Sequence, residues 1–136
     1  MDGNVQTKLK LSVHQLQKEF TQHEITSALQ CAGNRRHTMR TQLKEVNGID
    51  WGEGAVMNCS WKGPKLKDIL RRAGLTVSDF KEQHAAFSCF QTPVQGEDWY
   101  GGSVELSRAM DDSADILIAL EVYLLLELFF TLAHLW

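Results

Sequence analysis

The chain has 136 residues, a formal net charge of -3 and 43% hydrophobic residues. That length suits one domain with one core, and the mildly acidic balance gives no electrostatic footprint for nucleic acid. Three cysteines, Cys31, Cys59 and Cys89, are odd in number and widely spaced. They argue against a disulfide framework and for a reducing, intracellular compartment. Residues 1–8 are polar, with neither an apolar leader core nor an Arg-rich transit pattern.

Ser12 is placed to cap a short helix running through Phe20, with Leu16 and Phe20 four apart on its inner face. His23 to Cys31 has the length of a strand, although Ala28 and Gln30 break a clean alternation. Residues 32–54 hold Gly33, Asn34, Asn47, Gly48, Gly52 and Gly54. They read as loop, with one extended piece near Gln42 to Val46. Ala55 to Trp61 is a second strand.

Gly63-Pro64 then opens a helix, because proline fits a first turn where its missing donor is not needed. Leu66, Ile69, Leu70 and Ala73 form its buried stripe, and Gly74 suits a left-handed cap. Ala85 to Phe90 reads as a strand, Pro93 to Gly102 as a loop, Ser103 to Met110 as a short helix and Asp115 to Leu120 as a strand. The mixture predicts an α+β fold of mixed strands and short helices, since the elements do not alternate at crossover spacing.

Cys31 draws attention chemically. A cysteine ending an apolar strand is most often a core residue. This one enters Ala32-Gly33-Asn34 and is followed at once by Arg35 and Arg36. A sulfur at a strand end in a positive field is suited to metal binding as a thiolate. Softness alone would admit copper or zinc. Gly33 allows a sharp turn, and Asn34 can pin it by bonding its local backbone. Zinc held by Cys31, Cys59, Cys89 and His37 is disfavoured, because the cysteine spacings match no short ligand pair.

The segment Leu29-Gln30-Cys31-Ala32-Gly33-Asn34-Arg35-Arg36 resembles the sulfite oxidase family, which includes eukaryotic nitrate reductase. The resemblance continues through Gly48-Ile49-Asp50-Trp51-Gly52, Trp61-Lys62-Gly63-Pro64-Lys65-Leu66, Tyr100-Gly101-Gly102-Ser103 and Ala114-Asp115-Ile116-Leu117. It covers roughly residues 9 to 121. It implies a partial sulfite oxidase-type molybdopterin-binding domain, with a molybdenum-molybdopterin cofactor and Cys31 as the metal ligand and catalytic residue. The implied activity is that of an oxidoreductase, acting on sulfite or another small oxyanion by oxo transfer. Leu29-Gln30 before Cys31 looks more like sulfite oxidases; nitrate reductase is the alternative.

Ser103 is a further cofactor-contact candidate by the same resemblance. Arg35 and Arg36 either contact anions or buttress the loop, and the buttress is the favoured reading. Trp51, Trp61, Trp99 and Tyr100 either line a pterin slot or fill the core, and the core is favoured. The family's catalytic domain is much longer than 136 residues. The chain is therefore expected to be a truncated piece, inactive or weakly active and lacking the family's dimer interface. Its expected compartment is mitochondrial or cytosolic. A non-catalytic remnant is the other reading.

Residues 122–136 resemble nothing in the family. From Ile116 to Trp136, 17 of 21 residues are apolar. Thirteen Leu, Ile, Phe and Val residues contribute roughly -4 to -8 kcal/mol toward membrane insertion, against roughly +5 to +7 for two glutamates. The balance is near zero. A tail unrelated to the domain, as from a frameshift or retained intron, is favoured over a membrane anchor.

Overall fold

The computed structural model describes residues 1–43, 48–77, 79–91 and 98–124. The chain divides into two compact units: residues 1–23 with 63–120, and residues 24–62 with 121–136. The fold is α+β, with four helices and five strands among the described residues.

The first unit begins with α1 (Val13–Glu19). Ser12 caps it through a reciprocal box with Gln15, which satisfies two donors the helix cannot satisfy itself. At its far end Arg72 bonds Glu19 at 2.6 Å and lies 5.0 Å from the Phe20 ring centre. The helix α3 (Leu66–Ala73) is the centre of this unit. Leu66, Ile69, Leu70 and Ala73 are at most 5% exposed, so the sequence stripe is the buried face. Gly74 caps it at φ +70, in the left-handed region where a Cβ is disfavoured.

Against α3 packs α4 (Leu106–Met110), through Leu106 and Ala109, to form the core cluster. Phe80, Ala85, Val104, Ile116 and Ile118 pack around it. Two further strands, β3 (His84–Cys89) and β4 (Tyr100–Glu105), form an antiparallel pair with Ala86 opposite Ser103. Lys67, on the mostly buried side of α3, reaches Asp112 at 2.5 Å, and Lys65 reaches Asp115 at 2.7 Å. These lysines hold both carboxyls below the usual carboxylate range.

The second unit carries a three-stranded sheet in the order β1 (Gln22–Gln30), β2 (Val56–Pro64), β5 (Glu121–Leu124). β2 and β5 are antiparallel, with Cys59 opposite Leu124 and Lys62 opposite Glu121. Cys59 is fully buried. Glu24 on β1 accepts a hydrogen bond from Ser60 on β2 at 2.5 Å. The remaining element is the helix α2 (Arg36–Leu43).

Four expectations need correction. Residues 36–43 are helix rather than loop, and the extended piece expected at 42–46 is helical at Gln42 and Leu43; 44–46 lie outside the described residues. Pro64 ends β2 instead of opening α3, because its carbonyl accepts the Ile118 N–H at 2.9 Å and keeps the chain extended. Tyr100–Glu105 is strand, not loop and helix, because it pairs with β3 along its whole length. The last strand is Glu121–Leu124; within 115–120 only Leu117 forms a bridge, to Lys65. A Cβ at Gly63 would collide with the Ile118 carbonyl oxygen, so this close approach requires glycine.

Leu70→Ala is expected to destabilise the protein by about 2–5 kcal/mol, since it opens a void in a closed cluster. Val13→Ala, at a 60% exposed position, is expected to stay within about 0.5 kcal/mol. Urea unfolding of both variants measures the contrast.

Candidate metal centre

β1 delivers Cys31 to the start of a turn, and β2 begins shortly after the segment that holds this turn. The Cys31 N–H bonds the Ala55 carbonyl at 2.9 Å, which continues backbone pairing one residue beyond β1. Cys31 is exposed. Its Sγ accepts the Gly33 N–H at 3.4 Å, and its carbonyl accepts the Asn34 N–H at 2.9 Å.

Two stretches, 31–37 and 49–55, are bonded together along their length. Asn34 Oδ1 accepts the Ala55 N–H at 3.0 Å. The Arg35 N–H reaches the Gly52 carbonyl at 3.1 Å, and the His37 N–H reaches the Trp51 carbonyl at 2.9 Å. The Trp51 indole N–H donates to the Gly33 carbonyl at 2.5 Å. Arg36 donates to the Ile49 carbonyl at 2.8 Å, with its guanidinium 4.3 Å from the Trp51 ring centre. The His37 bond also occupies an N–H in the first turn of α2, which no intrahelical carbonyl can accept.

Arg36 is thus the loop buttress expected of it. Arg35 reaches the same stretch through a carboxylate, 3.7 Å from Glu53, and adopts φ +65. The left-handed residue of the turn is therefore Arg35, not Gly33. Gly33 is needed for space, because a Cβ there would come within 2.8 Å of the Trp51 ring. Asn34 bonds a residue 21 positions away rather than its local backbone. Trp51 is 38% exposed and holds this turn, so it is not a core residue. Trp99 and Tyr100 are exposed too, and Trp61 donates its indole N–H to the Ser27 carbonyl at 2.9 Å.

A short polar chain flanks the turn. His37 Nδ1 lies 2.9 Å from Asp50 Oδ2, and Arg40 lies 3.7 Å from the same oxygen. The His37 hydrogen bond, aided by Arg40, holds the Asp50 carboxyl below its ordinary range.

Ser103 belongs to the first unit, on β4, and Cys31 to the second. Ser103 Oγ lies 3.1 Å from His84 Nδ1. It borders an open cavity of about 560 Å³ shared with Phe87, Phe90 and Trp99. A cavity of about 690 Å³ in the same unit lies among residues 1–5, α3 and β3.

Comparison with known proteins settles the family. The sequence model described as "Oxidoreductase molybdopterin binding domain" matches residues 1–123. The chain belongs to this family. It is 43% identical over 114 residues to mitochondrial sulfite oxidase of Mus musculus, covering 84% of this chain and 20% of that protein. It is 36% identical over 121 residues to NADH nitrate reductase of Petunia hybrida, covering 86% of this chain and 13% of that protein. Among solved structures it resembles the sulfane dehydrogenase SoxCD from Paracoccus pantotrophus, with a TM-score of 0.61 and 21% identity over 88% of this chain and 27% of that chain. This last likeness shows the fold. The chain spans about a fifth of the length of the sulfite oxidases it matches.

The family's cofactor is molybdenum-molybdopterin. The donor set at the turn fits such a group. It offers one exposed soft sulfur. Among the described residues no three His, Cys, Asp or Glu side chains are grouped to hold a metal.

Asp50→Asn is expected to lower the thermal midpoint at neutral pH. A lowered carboxyl pKa contributes stability above the unfolded value of about 3.9 and loses it as pH falls through the lower folded value. The gap between variant and parent should therefore shrink in melts recorded below about pH 4.

Proposed function

We propose that this chain carries the metal-ligating part of a sulfite oxidase-like molybdenum centre, with Cys31 as the protein's ligand to the metal. The observation that carries this reading is the exposed Cys31 sulfur at the end of β1, on a turn whose backbone is bonded to residues 49–55. Cys59 is buried, and Cys89, which is exposed as well, lies within the β3–β4 pair rather than on such a turn.

Each neighbour has a part in holding that sulfur. Asn34 and Trp51 fix the turn to the facing stretch. Arg36 closes the same stretch by bonding the Ile49 carbonyl. When bound, the cofactor supplies the two-electron chemistry that adds an oxygen atom to sulfite and gives sulfate. The chain's own part is to hold one ligand in a fixed orientation. Sulfite is favoured over nitrate by the higher identity to sulfite oxidase and by Leu29-Gln30 before the cysteine. Ser103 is a weak candidate for a polar contact to the pterin, carried by the Tyr100-Gly101-Gly102-Ser103 resemblance alone. The mitochondrial designation of the matched sulfite oxidases supports an intracellular compartment, mitochondrial or cytosolic.

Protein produced in a host that makes the pterin cofactor is expected to contain molybdenum and pterin. Cys31→Ala should lower the molybdenum content about tenfold or more, while the cofactor-free forms of variant and parent melt at the same temperature. Undiminished metal in that variant overturns the ligand assignment.

Activity is a separate matter. An anionic substrate needs a preorganised cationic pocket, and removing one such stabilising group costs about 10²–10³ in rate. The 136-residue polypeptide alone is expected to oxidise sulfite at least about a hundredfold more slowly than a full-length relative. Assay with sulfite and an electron acceptor at matched metal loading decides this. Comparable turnover would sink the idea of a partial site.

A further inference from the structure

We infer that Trp51 is a positioning residue for the Cys31 sulfur, and that it acts by holding the Gly33 N–H on Sγ. The inference rests on Cys31 being the metal ligand, and it concerns what sets that ligand's donor strength.

Gly33 is gripped by Trp51 in two ways. Its carbonyl accepts the indole N–H at 2.5 Å, while the space a Cβ would fill is taken by the indole ring. The Arg36 guanidinium lies over the face of the ring and also bonds the Ile49 carbonyl. The residue so fixed presents its own N–H to Cys31 Sγ at 3.4 Å. A hydrogen bond to a ligating sulfur withdraws electron density from it and tunes the metal it binds. Trp51 is 20 residues from Cys31 in sequence, touches the sulfur through Gly33, and is itself no ligand.

The test uses the whole 136-residue chain and reads the Gly33 amide by hydrogen exchange. Trp51→Phe removes the indole donor but keeps a ring. Cys31→Ala removes the acceptor. Each single variant is expected to speed exchange at Gly33 about tenfold, and the double variant about tenfold again in total rather than a hundredfold, because both remove one bond. Exchange in α3 should stay unchanged. A merely structural tryptophan would give multiplicative effects in the double variant, and that result overturns the inference. No acceleration at Gly33 in Trp51→Phe overturns it as well.

Gly33→Ala offers an independent variant, since its new methyl displaces the ring. It should shift the Gly33 position's exchange in the same direction, and an unchanged rate counts against the proposal. In the cofactor-loaded protein Trp51→Phe should move the sulfur-to-metal absorption band of the molybdenum it retains. An unmoved band at full loading again overturns the role. Loss of the ligand reading itself shows differently, as metal retained in Cys31→Ala.

Discussion

The Gly33 carbonyl oxygen accepts both the Trp51 indole N–H and the Arg36 backbone N–H, and the sulfur-bearing turn depends on that shared acceptor. No residue of this turn is fully buried, so burial alone does not hold it. Fixing each backbone residue costs about 1–2 kcal/mol in entropy, and every unpaired N–H or C=O would prefer water. The turn at 31–37 answers this by bonding to 49–55, so that two irregular stretches serve as each other's partners. Backbone and side-chain donors both serve the seam, which fixes orientation more narrowly than a nonpolar contact would.

The core of the other unit is held by a different kind of force. Leu66, Leu70, Leu106 and Ala109 gather by removal of apolar surface from water, each large side chain contributing about 1.5–3 kcal/mol. That force is nondirectional. It sets which face of α3 is buried but leaves side-chain ends free to adapt. The stretch around the proposed ligand thus relies on directional bonding, and the core at α3 and α4 on nonpolar burial.

These two forces also explain what was legible in the sequence. The α3 stripe, its Gly74 cap and the Ser12 box were readable, because each depends on residues three to eight apart. Cys31 stood out because its turn, arginines and family resemblance all lie in one short segment. The helix Arg36–Leu43 was hidden by the glycines on both sides, although the segment itself contains neither Gly nor Pro. The roles of Trp51 and Asn34 were not legible, since their partners lie 18 and 21 residues away. The left-handed residue of the turn proved to be Arg35, a position no propensity would select. The strand 100–105 needed its partner β3 to be seen. Residues 125–136 lie outside the described residues, while Val122 to Leu124 pair with β2.

Gly63 shows how a position with no chemical duty can still be fixed. Its missing side chain lets the Ile118 carbonyl approach the end of β2. The obstruction is main chain, which cannot rotate aside as a flexible side chain would. Even the smallest replacement therefore forces the two backbones apart, and a survey of natural or laboratory variants would record intolerance there that has nothing to do with sulfur, metal or substrate.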